Sequence, residues 1–169
     1  MRKLLFFIPL AVFLILGVVL YLQLGKDTQY MPSALVGKKV PAFTLVSLQD
    51  DQVYTHQDLP TAPYLINFWG TWCPACHVEH PFLMVLADSG VTIIGIDYKD
   101  KKDLAEQWLE QKGNPYQIVL MDEMGRFGMD MGVTGAPETF VVDGSGVVVY
   151  RHQGVVNAEN WPDIKGYMK

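Results

Sequence analysis

The only two cysteines of the chain stand three residues apart, as Cys73-Pro74-Ala75-Cys76, between an apolar run and a helical pattern. Upstream, "PYLINFW", Pro63 to Trp69, is a short apolar run, so it reads as a buried strand. Downstream, from Pro74 to about Asp88, the pattern is helical, with Pro74 suited to the first turn and Val78, Phe82, Val85 and Leu86 on one face. A strand that passes through Gly70-Thr71-Trp72 into a helix opening at Cys73 sets the sulfurs at a helix N-terminus. Unpaired N–H groups and the helix dipole there favour an anion, so Cys73 is the thiol expected to ionise and attack. As a nucleophile it has to be exposed. Cys76, one turn further in and more buried, has only to reach Cys73.

His77 completes a C-x-x-C-H motif, which has two opposed readings. In one, both sulfurs become haem thioethers and His77 binds the iron. That reading needs an apolar slot for a large macrocycle and a second axial ligand, for which His56, His80 and His152 are the candidates. None has supporting context, and a buried strand on either side of the helix leaves little room. A zinc site from Cys73, Cys76, His77 and His80 would crowd four ligands into eight residues, whereas structural zinc sites draw ligand pairs from separate elements. A disulfide framework would need more cysteines at longer spacing. The redox-active dithiol fits the local pattern best, with no metal and no cofactor expected.

The rest of the 169 residues suits one compact domain plus an apolar element. Leu4 to Leu22 carries no charge over 19 residues, which as a helix spans roughly 28 Å, about a bilayer core. Arg2 and Lys3 precede it and set the N-terminus in the cytoplasm. The alternative is a cleaved signal peptide, but the apolar stretch is long and only a weak site, Pro32-Ser33-Ala34, lies downstream. The exported part carries eleven basic against eighteen acidic side chains, which argues against nucleic acid or an anionic membrane surface as a ligand.

Three segments follow: residues 1–25 as tip and transmembrane anchor, 26–39 as linker, and 40–169 as the folded domain. Within the domain, "PAFTLVSLQDDQVYT" reads as a hairpin around Gln49-Asp50-Asp51, and Val91 to Asp97 as a second buried strand. Lys102 to Gly113 reads as a helix ending on glycine, "YQIVLMD" as a strand, and Glu123 to Met129 as a short helix. "ETFVVDGSGVVVYRHQG" is a hairpin across Asp143-Gly144-Ser145-Gly146. Alternating strands and helices closed by a hairpin predict an α/β fold, a mixed central sheet with helices on both faces.

"NFWGTWCPAC", followed by Pro81 five residues after Cys76, resembles the thioredoxin superfamily, and "GAPETF" resembles its cis-proline loop. "YKD", "GNPY" and "GAPETF" at their spacing narrow the resemblance, from about Gly37 to Trp161, to the DsbE/CcmG-type reductases of cytochrome c maturation. The resemblance implies a thioredoxin-like fold with an added N-terminal β-hairpin and a preceding transmembrane helix. It implies a single-pass inner-membrane protein with its C-terminal domain in the periplasm. The implied work is to keep the CxxCH cysteines of apocytochrome c, or of its maturation chaperone, reduced for haem attachment. A transmembrane dithiol donor of the DsbD or CcdA kind would supply the electrons. The same fold also serves oxidases and isomerases, and CxxC alone does not set direction.

The resemblance also carries site residues. It makes Cys73 and Cys76 the redox-active disulfide, Pro137 a cis proline, and Trp72, Pro74, Ala136 and Pro137 the substrate-binding rim. Asn67 stands where thioredoxins have a buried aspartate, and an amide exchanges no proton. The acids matching the family are Glu79 and Glu138, either of which is a candidate proton relay or tuner of the cysteine pKa. Thr134 and Asp97 depart from the family's tyrosine and asparagine, which bears on the substrate groove.

Overall fold

The computed structural model describes residues 7–23 and 35–169. They fall into two units that divide between residues 31 and 32. In the first, α1 (Phe7–Gln23) is a 17-residue helix without a charged residue, exposing Val12, Phe13 and Leu14 among others. Among the described residues no helix is long and apolar enough to cross a membrane. Arg2, Lys3, the start of the apolar run and residues 24–34 lie outside the described residues.

The second unit is built on one seven-stranded mixed sheet, ordered β2-β1-β5-β4-β3-β6-β7. Its strands are β1 (Thr44–Ser47), β2 (Val53–Thr55), β3 (Tyr64–Trp69), β4 (Ile93–Tyr98), β5 (Ile118–Asp122), β6 (Glu138–Val142) and β7 (Val148–Gln153). The central β3, β4 and β5 are parallel, and every residue of β3 and β4 is buried. That is why both read as mostly apolar runs, each interrupted by one polar residue, Asn67 or Asp97, rather than alternating ones. The outer strands pair antiparallel: β1 with β5 and β2 on one side, β6 with β3 and β7 on the other. Leu35 to Lys39, the end of the expected linker, belongs to this unit, since Gly37 N–H donates to Val148 O at 2.8 Å and Val148 N–H to Lys38 O at 2.9 Å.

The helices are α2 (Pro74–Asp88), α3 (Lys102–Lys112), α4 (Arg126–Asp130) and α5 (Trp161–Lys165). One core cluster joins α2, α3 and α5 to one face of the sheet. On the opposite face Phe127 and Met131, at α4, pack with Val40, Phe43, Phe68 and Phe140. α3 ends where Gly113 takes φ 87°, a conformation costly for any residue with a Cβ. The short α5 and a 3₁₀ turn at His56–Asp58 have no counterpart in the sequence reading.

The buried face of α2 differs from the expected one. Val78 and Val85 are exposed at 69% and 58%, whereas Glu79 and His80 are buried with Cys76, Leu83 and Leu86. Of the expected face Phe82 and Leu86 do pack inward, and the difference arises because two polar residues find hydrogen-bond partners inside.

Phe68 is the hub of the second face, with ring centroids 5.7 Å from Phe127, 5.8 Å from Phe140 and 6.1 Å from Tyr98. Phe68→Ala should cost about 3–5 kcal/mol, measured as a lowered urea midpoint with little change in slope.

Candidate active site

β3 delivers the chain into the turn Gly70–Trp72, and Cys73 caps α2 with Pro74 in its first turn. The helix therefore opens one residue after Cys73. The Cys76 N–H points at Cys73 Sγ from 3.1 Å, which is the orphan donor that a thiolate at this position would use. In this structure the two cysteines form a disulfide. Both are only 2% exposed, so exposure does not set the nucleophile apart from the resolving thiol as expected. What does distinguish them is the cap: Cys73 ends the helix, and Cys76 lies within it.

The turn is held from β4. Tyr98 O accepts the Trp72 indole N–H at 3.0 Å, and the carboxylate of Asp100 accepts the Thr71 N–H. A Cβ at Gly70 would meet Trp72 Nε1 at 2.5 Å, so a larger residue there would have to displace the indole. Trp72 is left about half exposed beside the disulfide. His77 Nε2–H donates to Thr71 O at 3.0 Å, which leaves Nδ1 to accept from the Trp108 indole at 3.4 Å.

Across from the disulfide, Ala136–Pro137 is a cis peptide, as the resemblance implied, and Ala136 packs against the cluster that holds both cysteines. Glu138 fixes this loop. One carboxylate oxygen accepts from Thr134 N at 2.8 Å, Thr134 Oγ1 at 2.7 Å and Gly135 N at 3.1 Å; the other takes Arg151 Nε at 2.8 Å. Every one of these groups is local to the loop or to β7.

Glu79 has a different setting. It lies one turn beyond Cys76 and is 1% exposed. Its oxygens accept the Val156 N–H at 2.7 Å and Asn67 Nδ2–H at 2.9 Å. Burial pushes its carboxyl up to about 7, against the lowering pull of those two hydrogen bonds. A buried acid so poised is able to exchange a proton near neutral pH. His80 is buried on the same helix, its pKa lowered by desolvation, with Nε2–H on Gly113 O at 3.1 Å. Among the described residues no three His, Cys, Asp or Glu side chains are placed to hold a metal ion.

Several residues here were not singled out from sequence. Tyr116 donates its hydroxyl to Asn67 Oδ1 at 3.0 Å, and Thr139 Oγ1 accepts from Asn67 Nδ2 at 3.0 Å. Arg151 and Trp108 likewise complete the site from distant segments. Tyr116 and Thr139 lay in motifs that the sequence had flagged, "GNPY" and "GAPETF".

The Redoxin family model matches residues 35–168. The thiol:disulfide interchange protein DsbE of Haemophilus influenzae is 49% identical over 160 residues, 91% of this chain and 88% of that protein. The Escherichia coli protein of the same name is 42% identical over 96% of this chain and 92% of its own length. The chain belongs to the Redoxin family, among its DsbE/CcmG-type members. Among solved structures, a Chlorobium tepidum protein described as a DsbE superposes with a TM-score of 0.65 at 24% identity, covering 78% of this chain and 96% of that one. The fold is thus thioredoxin-like, and the Cys73–Cys76 pair makes this DsbE-type chain a thiol:disulfide oxidoreductase.

The raised Glu79 pKa has a thermodynamic consequence. Unfolded, the carboxyl ionises from about 4.5; folded, it keeps its proton to about 7. Its contribution to stability is complete below the lower value and is lost as pH rises through the upper one. Relative to Glu79→Gln, the native protein should lose on the order of 3 kcal/mol between these limits. Urea unfolding from pH 4 to 8 reads this directly, since the lost Val156 or Asn67 hydrogen bond in the variant adds only a pH-independent offset.

Proposed function

We propose that this protein is a membrane-anchored periplasmic reductase that keeps the CxxCH cysteines of apocytochrome c, or of its chaperone, reduced for haem attachment. The observation that carries the reading is the Cys73–Cys76 disulfide capping α2, opposite the Ala136–Pro137 loop and one turn above Glu79. The kinship with proteins named DsbE supports the substrate class.

In the reduced protein, the Cys73 thiolate attacks a substrate disulfide, forms a mixed disulfide and releases one substrate thiolate. Cys76 then gives its proton to Glu79 and attacks Cys73 Sγ. The second substrate thiol departs, and the enzyme disulfide closes. Glu79 is the proton acceptor because it is buried, sits beside Cys76 and has a pKa near neutrality. Glu138, saturated by four donors, instead positions the loop. Trp72, Pro74, Ala136 and Pro137 form the rim on which an extended substrate segment lies.

Residues 1–25 serve as a single-pass inner-membrane anchor, with Arg2 and Lys3 in the cytoplasm, residues up to 34 as tether, and the rest facing the periplasm. A reductant in an oxidising compartment needs electrons, and a transmembrane dithiol donor of the DsbD or CcdA kind supplies them. The anchor concentrates the domain beside these partners and takes no part in the chemistry.

Alkylation of the reduced protein at neutral pH should label Cys73 at least tenfold faster than Cys76, and faster labelling of Cys76 reverses the assignment. In cells, Cys76→Ala should accumulate mixed disulfides with CxxCH-bearing proteins, while Cys73→Ala should trap none. A reduction potential as oxidising as about −120 mV, that of a strong oxidant of this fold, would make the protein an oxidase instead.

A further inference from the structure

β4 carries a second buried acid. Ile94, Ile96 and Tyr98 belong to the cluster on the α4 side of the sheet, so by strand alternation Gly95 and Asp97 face the side of the dithiol. Gly95 shows this directly, because a Cβ there would meet the Tyr116 ring at 2.7 Å. Asp97 is 0% exposed, and neither carboxyl oxygen has a hydrogen-bond partner among the described residues. Beside it in register on β3 stands Trp69, whose buried indole N–H is also without a partner among the described residues. Trp69 packs in the cluster that contains Cys73 and Cys76. Buried polar groups are almost always paired, and an unpaired acid next to an unpaired donor is costly for packing alone.

The surroundings oppose ionisation. Trp69 and Met121, at the paired positions of the flanking strands, are uncharged. Trp108 reaches the face from α3 and stacks on Trp69 at 4.8 Å. Tyr116 stacks on the same indole at 5.4 Å, and burial with the fields of Glu79 and Asp97 keeps its hydroxyl protonated. Asp100, in the loop after β4, and Glu123, after β5, add negative charge. Burial first, then these two, push the Asp97 carboxyl up to about 8.

We propose that Asp97 is a positioning residue of the dithiol reaction: it binds its proton more tightly when Cys73 is a thiolate than when the disulfide is closed, so that reducing the protein loads a proton onto it. The proposal rests on the Cys73 assignment above. The physical reason is that two negative charges on one buried face repel each other through a low dielectric. For the ionised fraction, the closed disulfide with the Asp97 carboxylate takes two electrons and two protons from a dithiol reductant. The products are the Cys73 thiolate, the Cys76 thiol and the neutral Asp97 carboxylic acid, and the reductant leaves as its own disulfide. No proton goes to solvent. Without Asp97, the same exchange releases one.

The test mixes the oxidised protein with dithiothreitol in dilute buffer and reads proton release with an indicator dye, for the native protein and Asp97→Asn. At pH 8 the native protein should release about half a proton fewer per disulfide than the variant, and at pH 6 the same number. Equal release at both pH values overturns the proposal. Should Asp97→Asn fail to fold, redox-difference infrared spectra of native protein labelled with ¹³C-aspartate decide it. A protonated-carboxyl band should grow on reduction at pH 8, and its absence overturns the proposal. Cys73 alkylation on the same samples separates the two readings. Fast labelling without a proton difference removes Asp97 alone, whereas slow labelling removes both.

Discussion

One buried amide ties the site together. Asn67, at 0% exposure in β3, donates to Glu79 on α2 and to Thr139 on β6, and accepts from Tyr116 in the segment after α3. An aspartate at this position would accept from Tyr116 but would confront Glu79 with a like charge. The amide supplies a donor on one side and an acceptor on the other, so each of its partners is satisfied. The acid is thereby moved from the strand to the helix. On the helix it lies on the same face as Cys76, one turn away, and its proton affinity is set by burial together with two fixed N–H donors.

The loops that face each other across the disulfide are held by different means. Thr71 and Trp72 hang from the end of β4 through Asp100 and Tyr98 O, so the turn leading to Cys73 is fixed to the sheet. Thr134 and Gly135 hang from Glu138, whose charge is balanced by Arg151 on β7. A buried carboxylate stripped of its guanidinium typically costs several kcal/mol, so Glu138 and Arg151 have to be kept together. Both loops are thus tied to neighbouring strands by hydrogen bonds. At the disulfide itself the Cys76 N–H points at Cys73 Sγ.

Much of this was legible in the sequence, and for identifiable reasons. β3 and β4 are flanked by neighbours on both faces, so their composition alone declares them. Pro74, Gly113 and the Asp143–Gly146 turn mark boundaries through backbone conformations that few other residues supply. The orientation of α2 was legible only in part, through Phe82 and Leu86. Glu79 is buried because Val156, 77 residues away, offers an N–H, and His80 because Gly113 offers a carbonyl. No local pattern encodes such partners, so Val78 and Val85 looked like core and are surface. The different settings of Glu79 and Glu138 were hidden for the same reason: as types they are identical, and only their donors differ.

The C-x-x-C-H motif shows the same principle most sharply. Read as five residues, it describes a haem-attachment site as well as it describes a dithiol. Thioether formation requires two sulfurs free to leave the protein surface and a histidine free to turn toward iron. Here the sulfurs bond each other at 2% exposure, and Cys76 lies inside a helix whose buried face carries Glu79 and Leu83. Both ring nitrogens of His77 are occupied, one by Thr71 O and the other by Trp108. Releasing the motif would mean unwinding the first turn of α2, detaching Thr71 and Trp72 from β4 and exposing the Trp69–Trp108 stack to water. The setting of the motif is therefore decided by the strand and helix that bury it, and in this chain those elements hold the two sulfurs as a closed disulfide at the start of α2.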